Sequence, residues 1–239
     1  ILGWGAVSRG VWEMAKLGRM SYLMRVRMPD APGSLGLLAV ALGNVGANII
    51  GVDIVGHDAD GVVVDDIIVQ LPSQHLPDAL ITASQEIAGV YVDSIRPYSG
   101  TVDRRGQVQM LAAVASRRHD VNQALDIMMD GLPKSMTAGW AIVLRSEPTT
   151  TRVAASAAAP ADNGKVLDSA PVTETRVLNP EREEWIPDNW TVMDSSLAAT
   201  PIKGTDLLLV IGRPGGPDFL LSELEGLEQL STIVGAFFN

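Results

Sequence analysis

The chain has 239 residues, 46% of them hydrophobic and 19% charged, a balance that supports a folded core in one large or two small domains and excludes an intrinsically disordered chain. Lys and Arg number 18 against 28 Asp and Glu, a formal net charge of −10 that repels nucleic-acid phosphates and anionic membrane surfaces. The absence of Cys excludes disulfides, thiolate nucleophiles and Cys-ligated metals and fits a reducing, cytoplasmic setting, while His57, His75 and His119 are too scattered for a His-rich metal centre.

Arg9, Glu13, Lys16 and Arg19 interrupt the first 19 residues, so no apolar run there suits a signal peptide. No window elsewhere approaches the roughly 18 apolar residues of a spanning helix, and no membrane association is expected. Residues 1–19 read either as a non-native leader or as a native arm capping the core, and carry no functional assignment. From Tyr22 to Met28 the even positions are apolar and Arg25 and Arg27 stand at odd ones, the period-two pattern of a half-buried strand. Pro29-Asp30-Ala31-Pro32-Gly33 is turn chemistry, with Pro32 suited to the first turn of a helix. Leu35, Leu38, Leu42 and Val45 then form a helical stripe that Gly46 is placed to end in a left-handed conformation. Asn48–Val55 and Val62–Leu71 are β-branched runs separated by a Gly- and Asp-rich turn, a hairpin. Leu76, Leu80, Ala83 and Ile87 share a helical face before Gly89, and Val90–Ile95 makes a last strand ahead of Arg96-Pro97.

The order strand, helix, strand, strand, helix, strand is the split β-α-β motif of a ferredoxin-like βαββαβ sandwich. On Asp30-Ala31-Pro32-Gly33-Ser34-Leu35 and Gly46-Ala47-Asn48-Ile49, residues 20–98 resemble the ACT family of small-molecule-sensing domains. The resemblance implies an amino acid or similar small metabolite as ligand, bound by Asp30, Ala31, Gly33, Ser34, Leu35, Asn48 and Ile49, and a homodimer with the ligand at its seam. The chemistry agrees: an amino acid needs N–H donors for its carboxylate and oxygen acceptors for its ammonium. The helix start at Ser34-Leu35 offers N–H groups, Gly33 permits close approach, Asp30 accepts, and Asn48 both donates and accepts. Met28 departs from members with a polar strand residue there, which leaves the side-chain preference open. A plainer reading has Asp30 capping the helix and Asn48 closing a turn. Asp53, Asp65 and Asp66 interrupt apolar strands; Asp65 and Asp66 point to opposite faces, so they cannot form one site, and solvated or edge positions account for them. Asp58-Ala59-Asp60-Gly61 lacks the later ligands of a calcium loop.

Thr101–Gln107 reads as a polar linker, which divides the chain into residues 20–100 and 101–239. Val108–Met129 is one interrupted helix or two short ones, ended by Gly131-Leu132-Pro133. Trp140–Leu144 and Arg152–Ala157 are paired strands, Ala158–Asn189 is an aperiodic binding flap or mobile loop, Ser196–Ile202 and Asp206–Gly212 are strands, and Pro217–Phe238 is a helix. The closing strand and helix, Asp206-Leu-Leu-Leu-Val-Ile-Gly-Arg-Pro and Phe219-Leu-Leu-Ser-Glu-Leu-Glu-Gly-Leu-Glu-Gln-Leu, are similar to those of GAF domains. That similarity, over residues 107–239, implies an antiparallel sheet with flanking helices and a small-molecule or signal-relay role. Trp185 and Trp190 read as core or lid packing rather than pocket walls. The expected fold class is thus α+β, a ferredoxin-like βαββαβ ACT domain followed by a GAF-like domain.

No G-x-S-x-G elbow, phosphate loop, G-x-G-x-x-G or H-E-x-x-H is present, and each His has an ordinary setting: His57 in a hairpin turn, His75 before a helix, His119 on a polar face. The expectation is a non-enzymatic regulator with no catalytic residues, cofactor or metal, sensing an amino acid through residues 20–100. The competing expectation is an interaction module in which both domains serve only dimerisation and docking.

Overall fold

The structure, a computed structural model, describes residues 19–57, 60–98, 104–146, 149–162 and 172–238. The expectations for residues 1–18, Asp58–Ala59, 101–103 and 163–171 lie outside the described residues. The chain divides into two compact units between Thr101 and Val102.

The first unit runs β1 (Arg19–Pro29), α1 (Ser34–Asn44), β2 (Asn48–His57), β3 (Val62–Pro72), α2 (Asp78–Gln85) and β4 (Tyr91–Pro97). The strands form one sheet in the order β2-β3-β1-β4, and each neighbouring pair is antiparallel. Met24, Val26 and Met28 of β1 and Val63, Ile67, Val69 and Leu71 of β3 bury one sheet face against Leu38 and Leu42 of α1 and Leu80 of α2. Alternation along β1 thus selects the core face, as period-two packing requires. Gly46 ends α1 with φ +77°. Three local expectations are corrected. Pro32 lies in the turn before α1, which starts two residues later, and Leu76 lies exposed ahead of α2. Val90 precedes β4, which runs on through Arg96 and Pro97, since a terminal edge-strand Pro gives up no ladder bond.

The larger correction concerns charges. Arg25, read as solvent-facing, is buried, and so are Asp65 and Asp66, because β3 is an inner strand and not an edge. Arg25 and Asp66 are cross-strand partners. Arg25 Nε and Nη2 donate to Asp66 Oδ1 and Oδ2 at 2.8 and 2.9 Å, a bidentate pair that satisfies both buried charges. Asp65 faces the other way, beside Val63 and Ile67, as expected from strand alternation.

The second unit contains α3 (Arg104–Ser116), α4 (Val121–Ser135), β5 (Trp140–Arg145), β6 (Thr151–Ala155), β7 (Arg176–Leu178), a 3-10 turn (Asp188–Trp190), β8 (Ser196–Pro201), β9 (Leu207–Arg213) and α5 (Leu221–Phe238). Its sheet is antiparallel in the order β6-β5-β9-β8-β7. Arg104–Gln107, read as linker, belong to α3. α4 runs through Pro133 to Ser135: the ring forfeits one backbone bond, and the buried stripe through Met129 and Leu132 offsets that loss. One sheet face, with Ala141, Val143, Leu209 and Ile211, packs on Val114, Met128, Leu227 and Val234 of the three helices. The other, with Trp140, Ile142, Leu208 and Val210, is covered by Trp185, Ile186 and Trp190. The irregular stretch after Ala158 therefore includes a strand and a packed aromatic cover.

Candidate functional site

The β1–α1 turn is braced by its own backbone. The Asp30 amide donates to Gly61 O at 2.8 Å, that of Ala31 to Pro29 O at 2.9 Å and that of Ser34 to Ala31 O at 3.1 Å. Gly33 takes φ +95°, a conformation that glycine reaches without a Cβ penalty, and turns the chain into α1. No side chain caps α1, so the reading of Asp30 as its cap does not hold. Ser34 is also not a free donor, since the turn consumes its amide. The remaining first-turn amides lie at Leu35 and Gly36, and the positive end of the helix dipole accompanies them.

The Asp30 carboxylate is exposed, 3.9 Å from the exposed imidazole of His57, which ends β2 rather than sitting in the hairpin turn. Asp65 adds a second acid. It is only 3% exposed, and its Oδ1 has no hydrogen-bond partner. Burial pushes its carboxyl above the ordinary value; His57 pulls it down, while Asp66, Asp30 and Asp53 push it further up. His57 is paired with Val63 in the ladder and Asp65 with Ile54, so His57 and Asp65 stand two rows apart on one sheet face, with the Gly56–Val64 row between them.

Asn48 is elsewhere. It pairs with Gln70, which also pairs with Ser21, whereas Pro29, beside Asp30, pairs with Val62. Eight residues of strand separate the two rows, roughly 26 Å at about 3.3 Å per residue. Asp30 and Asn48 therefore lie at opposite ends of the sheet and share no site within one chain, because α1 returns the chain to the far end before β2 begins. Ile49 packs against the core, while Ala31 and Leu35 are exposed beside Asp30. The structure thus gathers Asp30, Ala31, Gly33, Ser34 and Leu35, leaves out Asn48 and Ile49, and brings in His57 and Asp65, whose placement depends on strand register that no local motif reports.

β2 is an edge strand of ten residues without Lys, Arg or Pro, the residues that usually blunt an edge. Ile50, Val52 and Ile54 on it are exposed, as are Leu37 and Val40 on α1.

In the second unit, Glu183 fastens the aromatic cover. Arg176 Nη1 and Nη2 donate to Glu183 Oε1 and Oε2 at 2.7 and 2.8 Å, the Asn179 amide donates at 2.9 Å and Trp185 Nε1 at 2.9 Å. These donors, Arg176 foremost, hold the carboxyl down at about 2. Trp190 meets Trp140 edge-on with ring centres 5.9 Å apart and Trp185 at 6.2 Å. Both tryptophans are therefore packing residues, as their sequence setting indicates.

No protein-family model and no curated protein matches this chain. Among solved structures, it is similar to the GAF domain of an Acinetobacter phosphoenolpyruvate-protein phosphotransferase, at 16% identity and TM-score 0.43 over 55% of this chain and 92% of that one. It is similar to the A. Aeolicus nlh2 GAF domain in an inactive state, at 12% identity and TM-score 0.42 over 58% and 98%. An unknown protein from Galdieria sulphuraria matches at 11% identity and TM-score 0.31 over 92% and 91%. Likenesses of this size carry no argument by themselves. Among the described residues no helix is long and apolar enough to cross a membrane.

Proposed function

We propose that this protein is a non-catalytic, cytoplasmic regulator. Its first unit is an ACT-like, ferredoxin-like domain that binds an amino acid or similar small metabolite at a seam between two copies, and its second is a GAF-like domain coupled to that event. The observation that carries the reading is the β1–α1 turn, where an exposed carboxylate stands beside a left-handed Gly33 and an uncapped helix start. A carboxylate acceptor next to amide donors complements a zwitterion.

The separation of Asp30 from Asn48 supports the seam rather than opposing it. β2 runs from Asn48 at one end of the sheet to His57 at the Asp30 end. Antiparallel pairing of two β2 edges about a two-fold axis sets Asn48 of one copy beside Asp30 and His57 of the other. The exposed Ile50, Val52 and Ile54 favour such pairing.

A thermal-shift panel of the twenty amino acids tests the reading. A ligand at about a hundred times its dissociation constant adds about 2.7 kcal/mol of stability. The shift is expected in wild-type protein and is expected to be lost in Asp30→Ala and Asn48→Ala. The exposed apolar row also favours a second reading, dimerisation without a ligand, which predicts a stable dimer that no amino acid stabilises.

A further inference from the structure

We infer that Asp65, with Asp30, forms the acceptor for the ligand's ammonium group at the end of the sheet under the start of α1. The inference rests on the amino-acid-binding reading above and names the part of the site that recognises positive charge.

Asp65 is buried on the inner face of an inner strand, among Val63, Ile67 and the other core residues of that face. Aspartate at such a place is costly unless it is paired. Asp66, the next residue, shows what a paired one looks like, with both its oxygens held by Arg25. Asp65 Oδ1 has no donor at all. Its neighbours do not supply a fixed cation. Among the described residues, the charges acting on it are His57, itself 3.9 Å from Asp30, and the acids Asp66, Asp30 and Asp53, of which Asp66 is already held by Arg25.

Asp65 Oδ1 is therefore short of a hydrogen-bond donor, and a positively charged one suits a carboxylate best. A metal ion is a poor occupant, since among the described residues no three His, Asp or Glu side chains group to hold one. A compact organic ammonium fits better: it offers three donors to two acids, while the carboxylate on the same carbon reaches the amides at the start of α1, where no side chain competes. A buried carboxyl that weakens the free protein and gains its partner from the ligand is a common signature of a binding group rather than a structural one.

The test compares wild type, Asp65→Asn and Asp30→Asn by thermal shift, with each of the twenty amino acids and its N-acetyl counterpart, which keeps carboxylate and side chain but has no ammonium. Asp65→Asn is near-isosteric, and Asp30 is exposed, so both variants should fold. The inference predicts that Asp65→Asn melts higher than wild type without ligand. It also predicts that each variant needs about tenfold more of the responding amino acid, the size of one charge-assisted hydrogen bond, and that N-acetylation removes the response. A wild-type response that Asp65→Asn retains in full, or that the N-acetyl compound reproduces, overturns this inference and leaves the binding reading standing. No response of wild type to any amino acid overturns both.

Discussion

Asp65 and Asp66 are consecutive and both buried, but Asp66 is held by Arg25 while Asp65 Oδ1 has no donor. Asp66 is one half of a bidentate pair with Arg25, and removing one member of a buried pair strips the other of its main counter-charge. Asp66→Ala should therefore cost about 3–5 kcal/mol in urea unfolding. Asp65→Asn should instead raise stability at neutral pH. Its folded-state pKa is raised above 3.8, so the neutral form suits the fold, and the cost of ionisation is absent at low pH and grows as pH rises through the folded value. The gain from Asp65→Asn should accordingly vanish in acid. His57 lowers the Asp65 value, and Asp66, Asp30 and Asp53 raise it further through their charge. Glu183 runs the other way. Held at about 2 against an ordinary 4.5, it stabilises the fold above the ordinary value and loses that contribution as pH falls from about 4.5 toward 2. The stability gap between wild type and Glu183→Gln, followed by thermal melts, should be full at pH 6 and close toward pH 2. These assignments were not legible in the sequence. Alternation correctly sends Asp65 and Asp66 to opposite faces, but burial depends on β3 lying inside the sheet, and the partner of Asp66 is 41 residues away.

At the scale of elements, two glycines of α5 separate packing from propensity. A Cβ on Gly235 would stand 2.1 Å from the Lys203 carbonyl oxygen, so the helix lies directly on the turn between β8 and β9. Gly226 meets nothing within 4 Å. Gly235→Ala should destabilise by about 1–3 kcal/mol as α5 is pushed away, whereas Gly226→Ala should stabilise by about 0.5–1 kcal/mol through helix propensity. Chemical denaturation of the two variants checks both signs. A sequence reading values these glycines equally. It does find long periodic elements, such as β1 from its Tyr22–Met28 alternation and α1 from Leu38 and Leu42, because one buried face writes its period into the chain. It misses β7, whose three residues are too few to show a period and which is defined by pairing with β8. It also ends α4 too early, since the buried Met129 and Leu132 hold the helix on past Gly131 and through Pro133.

For the whole molecule, the two units have different relations to their sheets. In the second, both faces are covered, one by three helices and the other by Trp185, Ile186 and Trp190. In the first, the edge strand β2 keeps Ile50, Val52 and Ile54 exposed. The turn motif at Asp30–Leu35 and the Asn48 motif were both legible as residues. Their separation was not, because sequence proximity across one helix says nothing about which end of the sheet each occupies. That separation makes the central claim a claim about two copies. The most direct measurement is calorimetric titration of the amino acid found by thermal shift into Asp30→Ala, into Asn48→Ala, and into the two variants mixed and allowed to exchange subunits. A seam built from Asp30 of one copy and Asn48 of the other predicts little binding to either variant alone. The mixture should then recover about a quarter of the wild-type sites, because only mixed dimers restore one intact seam. No recovery on mixing, with wild-type protein binding normally, would contradict the account.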